Sequence, residues 1–167
     1  WITPLRALAK DLEVSMQEMI DQLGLPLTVG RRTGDVSSNE KAKQRQNMPS
    51  ILITTPESMH ILFASARSVD GLKHVKQVVV DEWHEFMGSK RGTQCELLLS
   101  RLRALQPSLM CWGVSATIGN VEEAKQVLFG TEHVHLTRCT LLESDGCNGD
   151  PWRRRRLRFD TTQSCRH

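Results

Sequence analysis

Three features of this 167-residue sequence predict an α/β fold in which a parallel sheet is flanked by helices. Ile51-Leu52-Ile53-Thr54 and Val78-Val79-Val80 are apolar and rich in β-branched residues, and they do not alternate with polar ones, as suits strands buried on both faces. Helical patterns of about ten residues or more separate such runs, and that alternation argues for right-handed crossovers within one parallel sheet. Two junctions, Thr3-Pro4 and Thr55-Pro56, repeat one strand-to-helix pattern.

Taken in order, Trp1-Ile2 reads as the end of a strand, which implies that something preceded it. Thr3 suits an N-cap, and Pro4 suits the first helical position, where its missing N–H costs nothing. Leu5, Leu8, Leu12, Met16, Met19, Ile20 and Leu23 recur at helical spacing until Gly24. Leu25 to Arg31 predicts a second strand, and Arg32-Thr33-Gly34-Asp35 a turn. Ser37 or Ser38 then caps a polar surface helix that runs through Gln46. Ile51–Thr54 predicts a third strand, followed by the second Thr-Pro junction and a helix over Met59–Ser68. The run Val78–Val80 is the central strand. A helix over Gln94–Leu105 turns Leu97, Leu98, Leu102 and Leu105 inward, and Leu109–Val114 forms a further strand. Asn120 opens the last clear helix, with Glu123 completing a capping-box-like start. From Arg138 onward periodicity fades. Residues 138–167 read as an unassigned basic tail, disordered or out of frame, and the run Arg153–Arg156 belongs to it.

Composition limits the function classes. The hydrophobic fraction is 39% and the charged fraction 25%, both ordinary for a globular domain. No apolar run approaches the ~20 residues of a membrane span, so no membrane partner is expected. Five Cys at irregular spacing form no C-x-x-C pair, and reduced thiols in a cytosolic setting are expected. His133, His135 and Cys139 match no structural zinc spacing. The net charge is +3, but residues 1–130 are almost balanced, with 15 basic and 14 acidic side chains. Nucleic-acid binding there must come from local groups and not from a global field.

The chemistry concentrates where the central strand ends, at Asp81-Glu82-Trp83-His84. Ligands of open α/β sheets sit beyond the carboxyl ends of the strands. A buried strand delivering two carboxylates there has the pattern of a Walker-B site. Asp81 would hold Mg²⁺ through water, and Glu82 would orient or deprotonate the attacking water. The plainer alternative is a strand that ends in a solvated acidic turn. The two Thr-Pro junctions would offer helix N-termini to phosphate on the same edge as Asp81 and Ser115. Thr-Pro is also a common helix start that binds nothing.

The blocks, in their order and spacing, resemble the first motor domain of the superfamily-two DEXH-box helicases. Thr3-Pro4-Leu5-Arg6-Ala7-Leu8 is similar to motif Ia, Arg32-Thr33-Gly34-Asp35 to the GD-containing block, and Thr55-Pro56-Glu57-Ser58 to motif Ib. Asp81-Glu82-Trp83-His84 is similar to the DEXH box, and Ser115-Ala116-Thr117 to motif III. Trp83 inside the box, with Gly88–Gly92 and Trp112–Asn120, looks most like the Lhr-like bacterial helicases, and within them the ligase-associated branch linked to DNA repair.

The resemblance implies a RecA-like sheet over residues 1–137 as a partial P-loop NTPase domain, with ATP and Mg²⁺ as cofactors. It implies catalytic roles for Asp81, Glu82 and His84, with Asp81 on Mg²⁺ through water. Ser115, Ala116 and Thr117 would couple hydrolysis to strand movement. Thr3, Pro4, Arg6, Gly34, Asp35, Thr55, Pro56 and Glu57 would line the channel of a tracking strand. Implied partners are single-stranded or partly duplex DNA, or an RNA–DNA hybrid, together with repair proteins such as a ligase or nuclease in a bacterial cytosol. No G-x-x-x-x-G-K-[ST] loop occurs in the chain, so the expectation is a fragment without motif I that does not hydrolyse ATP alone. The alternative is a non-catalytic module with weak nucleic-acid or protein binding.

Overall fold

The computed structural model describes residues 1–115, 136–141 and 157–162. The chain divides into two units, Trp1–Leu128 and Phe129–His167.

Four short parallel strands form the frame of the first unit: β1 (Val29–Arg32), β2 (Ile51–Thr54), β3 (Gln77–Val80) and β4 (Met110–Gly113). β1 pairs with β2 and β3 with β4, in register from Val29↔Ile51 to Arg32↔Thr54 and from Gln77↔Met110 to Val80↔Gly113. Ile2 joins the two pairs through parallel bridges to Thr54 on one side and Val80 on the other. A single row therefore crosses the sheet: Arg32, Thr54, Ile2, Val80, Gly113. One residue further along each strand lie Thr33, Thr55, Thr3, Asp81 and Val114. The one-edge placement expected from sequence is present.

The helices are α1 (Arg6–Gln22), α2 (Ser38–Gln46), α3 (Pro56–Phe63), α4 (Ala66–Leu72) and α5 (Lys90–Leu105). Ser37 caps α2 as expected, its side chain accepting the Glu40 N–H at 3.2 Å. Five expectations need correction. The strand expected over Leu25–Arg31 is shorter and shifted, Val29–Arg32, because Arg32 pairs with Thr54 and so belongs to the strand and not to the turn. Thr3 is not the N-cap of α1, because its N–H is given to Thr54 O at 3.0 Å and so remains in the sheet. The helix begins at Arg6 behind Leu5 instead. The helix expected over Met59–Ser68 is two helices, and the break at Ala64–Ser65 lets both Ser68 and Leu72 bury. α5 starts at Lys90 and not at Gln94, capped by Ser89, which accepts the Gly92 N–H at 3.1 Å. Leu97 is exposed, whereas Leu98, Leu99 and Leu102 are buried.

The core joins Ile53, Val78 and Val80 of the sheet to Met59, Leu62 and Phe63 of α3 and to the buried leucines of α5. The Arg101 guanidinium lies 4.6 Å from the Phe63 ring centroid and ties α5 to α3. The apolar stripe of α1 is only partly covered, with Ala9 and Ile20 buried but Leu5, Met19 and Leu23 exposed. In the second unit, β5 (Leu136–Leu141) and β6 (Leu157–Thr162) pair antiparallel, from Leu136↔Thr162 to Leu141↔Leu157. These strands fall in and beside the stretch read from sequence as a tail. The helix expected after Asn120, and Ala116, Thr117, His133, His135 and Arg153–Arg156, lie outside the described residues.

The Trp1 nitrogen donates to Leu52 O at 2.8 Å, which places Trp1 in the sheet beside β2.

Candidate functional site

At the end of β3 the chain makes an abrupt turn. Glu82 adopts φ 49° and ψ 46°, the left-handed region, and is the one non-glycine residue with positive φ among the described residues. For a glutamate this conformation costs about 1–2 kcal/mol, so the surroundings must impose it. Three contacts do so. The Glu82 N–H is given to Asp81 Oδ1 at 3.1 Å, and the Trp83 N–H to Val114 O at 3.0 Å. The Trp83 side chain is 1% exposed and packs on Phe86, with ring centroids 6.0 Å apart. The short helical turn Trp83–Glu85 follows and aims His84 back toward β4.

His84 Nδ1 lies 2.8 Å from Ser115 Oγ, linking the carboxylate turn to the residue beyond β4. The same ring nitrogen is 3.2 Å from Glu82 Oε2, but its hydrogen-bond geometry is with Ser115. Glu82 Oε2 is thus buried without a hydrogen-bond partner among the described residues. An orphaned carboxylate oxygen in a half-exposed side chain marks a place for a polar ligand or water. Asp81 is half-buried beside it. No cluster of three or more His, Cys, Asp or Glu positioned for a metal occurs among the described residues. A single hard carboxylate suits Mg²⁺ held through water and substrate phosphates, which needs no protein cage.

The other blocks meet along the same edge. Arg6, exposed at the start of α1, lies against Gly34, where a β-carbon would sit 3.2 Å from its guanidinium carbon. Asp35 accepts from the Thr33 hydroxyl at 2.5 Å and from Arg31 at 2.6 Å, and these bonds hold its carboxyl well below the usual range. Arg31 is braced on its other side by Glu13 of α1 at 3.0 Å. At the Thr55-Pro56 junction the hydroxyl of Thr55 lies 3.2 Å from Ser58 Oγ and makes no cap to a helix N–H. Burial acts to raise the Glu57 pKa, but the bond from Arg91 Nε at 2.6 Å, with the backbone and Thr55, outweighs it and leaves the carboxyl lowered.

Arg6, Gly34 and Asp35 are therefore exposed and Glu57 is half-exposed, while Thr3, Pro4, Thr55 and Pro56 are buried. The Thr3 hydroxyl is fully buried and has no partner among the described residues. Sequence reasoning missed three supports: Arg31 and Glu13 behind Asp35, and Arg91 behind Glu57. Arg31 precedes the block Arg32-Thr33-Gly34-Asp35 and Arg91 lies within Gly88–Gly92, but neither pairing has a local signature.

Comparisons with known proteins bear on this geometry. Residues 1–124 match the family model described as DEAD/DEAH box helicase. The chain is 39% identical over 140 residues to an ATP-dependent helicase Lhr-Core protein 2 of Thermococcus barophilus, covering 78% of this chain and 16% of that protein. It is 36% identical to the Lhr helicase/uracil glycosylase of Escherichia coli, covering 80% of this chain and 9% of that one. Among solved structures it is similar to the Mycobacterium smegmatis helicase Lhr bound to ssDNA and AMP-PNP, with a TM-score of 0.67, 36% identity and coverage of 78% and 18%. The DUF1998 helicase MrfA bound to DNA and AMPPNP has a TM-score of 0.68 at 29% identity, covering 77% of this chain and 19% of that one. The chain thus spans about a sixth or less of the curated relatives named here.

Proposed function

The chain belongs to the DEAD/DEAH box helicase family, and from that premise we propose that it is part of the first motor domain of an ATP-dependent helicase that moves along single-stranded DNA. The observation that carries this reading is the cross-sheet row. It sets Asp81 and Glu82 on the same edge, and within the same rigid ladder, as the Arg6–Gly34–Asp35 surface.

In this reading Asp81 binds Mg²⁺ of Mg–ATP through water. The bound ion would neutralise charge on the phosphates, while the chain's own groups do the rest. Glu82 takes or orients the proton of the attacking water through its carboxylate, one oxygen of which has no hydrogen-bond partner among the described residues. His84, bonded to Ser115, passes the position of that carboxylate to motif III, whose Ala116 and Thr117 continue the link. Arg6 supplies the exposed cation for a phosphate of the tracking strand, beside Gly34, whose lack of a side chain lets the guanidinium approach. Thr3 and Thr55, buried as described, act by holding helix starts in place; backbone donors near Arg6 and Glu57 make the contacts. DNA binding and AMP-PNP binding by the similar Lhr and MrfA structures support this reading. A role in DNA repair, with a ligase or nuclease as partner, extends it.

No phosphate-cradling loop occurs in these residues, so the 167-residue chain is expected to show no DNA-stimulated ATP hydrolysis. Phosphate release measured with and without single-stranded oligonucleotide checks this. Robust hydrolysis that Glu82→Gln abolishes would overturn it.

A further inference from the structure

The helix α2 has almost no apolar face, yet polar bonds dock it on β1. Gln44, the buried residue of the helix, gives its side-chain amide to Arg31 O at 2.9 Å. Arg32 Nη1 donates to Lys41 O at 3.1 Å and to Gln44 Oε1 at 3.3 Å. Arg32 is buried and has no carboxylate partner among the described residues, a costly placement for a cation. What this docking fixes is Lys41. Its Nζ reaches back to the edge of the sheet and donates to Gly34 O at 3.2 Å. Arg6 comes to the same glycine from α1, its guanidinium carbon 3.2 Å from where a β-carbon would stand. Two cations from two helices thus flank one glycine, and neither has an ion pair among the described residues. The adjacent carboxylate, Asp35, is already taken by Arg31 and Thr33. Like charges gathered without an acid repel one another, and an anion joining them relieves that cost.

We infer that Lys41 is a further contact to the tracking strand, its ammonium holding a backbone phosphate beside Arg6 across Gly34. The inference rests on the helicase reading, which makes the anion a nucleic-acid strand. An ammonium has three donors, and the bond to Gly34 O uses one, so two remain for phosphate oxygens. It is a compact charge without the planar fork that reads base edges, so phosphate is what it recognises. Gly34 puts no side chain between the two cations, and a phosphate can approach both. The pair therefore grips the sugar–phosphate backbone without regard to base sequence. Arg32 acts through Lys41: its bond to the Lys41 carbonyl sets where the ammonium lies.

The test measures binding of fluorescent oligothymidine and oligodeoxyadenosine strands to the 167-residue chain by anisotropy over a series of salt concentrations. Lys41→Gln is expected to weaken binding about fivefold at about 50 mM salt, equally for both strands. The slope of log K against log salt becomes shallower by about 0.7, the loss of one phosphate contact. Lys41→Arg keeps the parent's affinity and slope. Lys43→Gln does so too, because Lys43 is exposed two positions along α2 and does not share the face of Lys41. All three variants keep the parent's melting midpoint. Unchanged affinity and slope in Lys41→Gln, with weakened binding in Arg6→Gln, overturns the inference and leaves the helicase reading standing. An equal loss in Lys43→Gln overturns it by assigning the effect to overall charge. A loss in Lys41→Gln that comes with a lower midpoint, and that Lys41→Arg does not recover, overturns it by making Lys41 structural. A parent chain that binds neither strand removes the tracking-strand reading and this inference with it.

Discussion

Gly92→Ala is expected to destabilise the chain by about 3 kcal/mol or more, which a thermal melt would read as a fall of about 10 °C or more. A β-carbon at position 92 would collide with Phe86 O and lie 2.9 Å from its carbonyl carbon. The obstacle is backbone, so no rotamer change relieves it. The carbonyl cannot retreat easily either, since Phe86 O also accepts the Ser89 hydroxyl at 2.8 Å and the Phe86 side chain is fully buried. The first turn of α5 would have to lift, taking with it Arg91 and its bond to Glu57. Gly88→Ala provides the contrast. Gly88 has φ 66° and no atom within 4 Å of its β-carbon position, so only backbone strain of about 1 kcal/mol is expected there. If both variants melt within about 2 °C of the parent chain, the close approach of α5 to Phe86 is not as described.

Glu82 substitutions are expected to separate chemistry from strain. In a polypeptide that joins this chain to a phosphate-binding loop, Glu82→Gln should lower DNA-stimulated ATP hydrolysis by about 100-fold or more while retaining single-strand binding. Glutamine keeps the size and the left-handed backbone but cannot accept the proton. Glu82→Gly should lose hydrolysis equally, yet raise the stability of the 167-residue chain by about 1 kcal/mol, because glycine adopts φ 49° freely. Activity and stability would then move in opposite directions at one residue, as expected where strain is held for function. A Glu82→Gly chain that melts below the parent would show that the carboxylate stabilises the turn more than its backbone strains it.

The strands richest in β-branched residues were legible because their signal is local, whereas β1 begins four residues later than Leu25. Ile51–Thr54 and the end of β3 at Val80 lie where the apolar runs end, and Ser37 caps as its hydroxyl predicts. The errors came where a distant partner decided the outcome. Thr3 has the chemistry of an N-cap, but Thr54 captures its N–H. Leu97 has the spacing of a core leucine, but the face of α5 that packs is set by Leu98, Leu99 and Leu102. The DEXH-like block was legible as chemistry. The positive φ of Glu82, the bond from His84 to Ser115 and the contact of Gly92 with Phe86 required the chain to be folded.

The row through Ile2 has a mechanical consequence. The β1–β2 pair carries the Gly34–Asp35 surface, and the β3–β4 pair carries Asp81 and leads to Ser115. These two leaves are stitched at one seam by three backbone bonds on the Thr54 side and two on the Val80 side. Load passed between the leaves is shared between that seam and the packing of α3 on α5, where Arg101 lies on Phe63 and Arg91 holds Glu57, so the carboxylate edge and the Gly34–Asp35 surface are coupled through two layers at once.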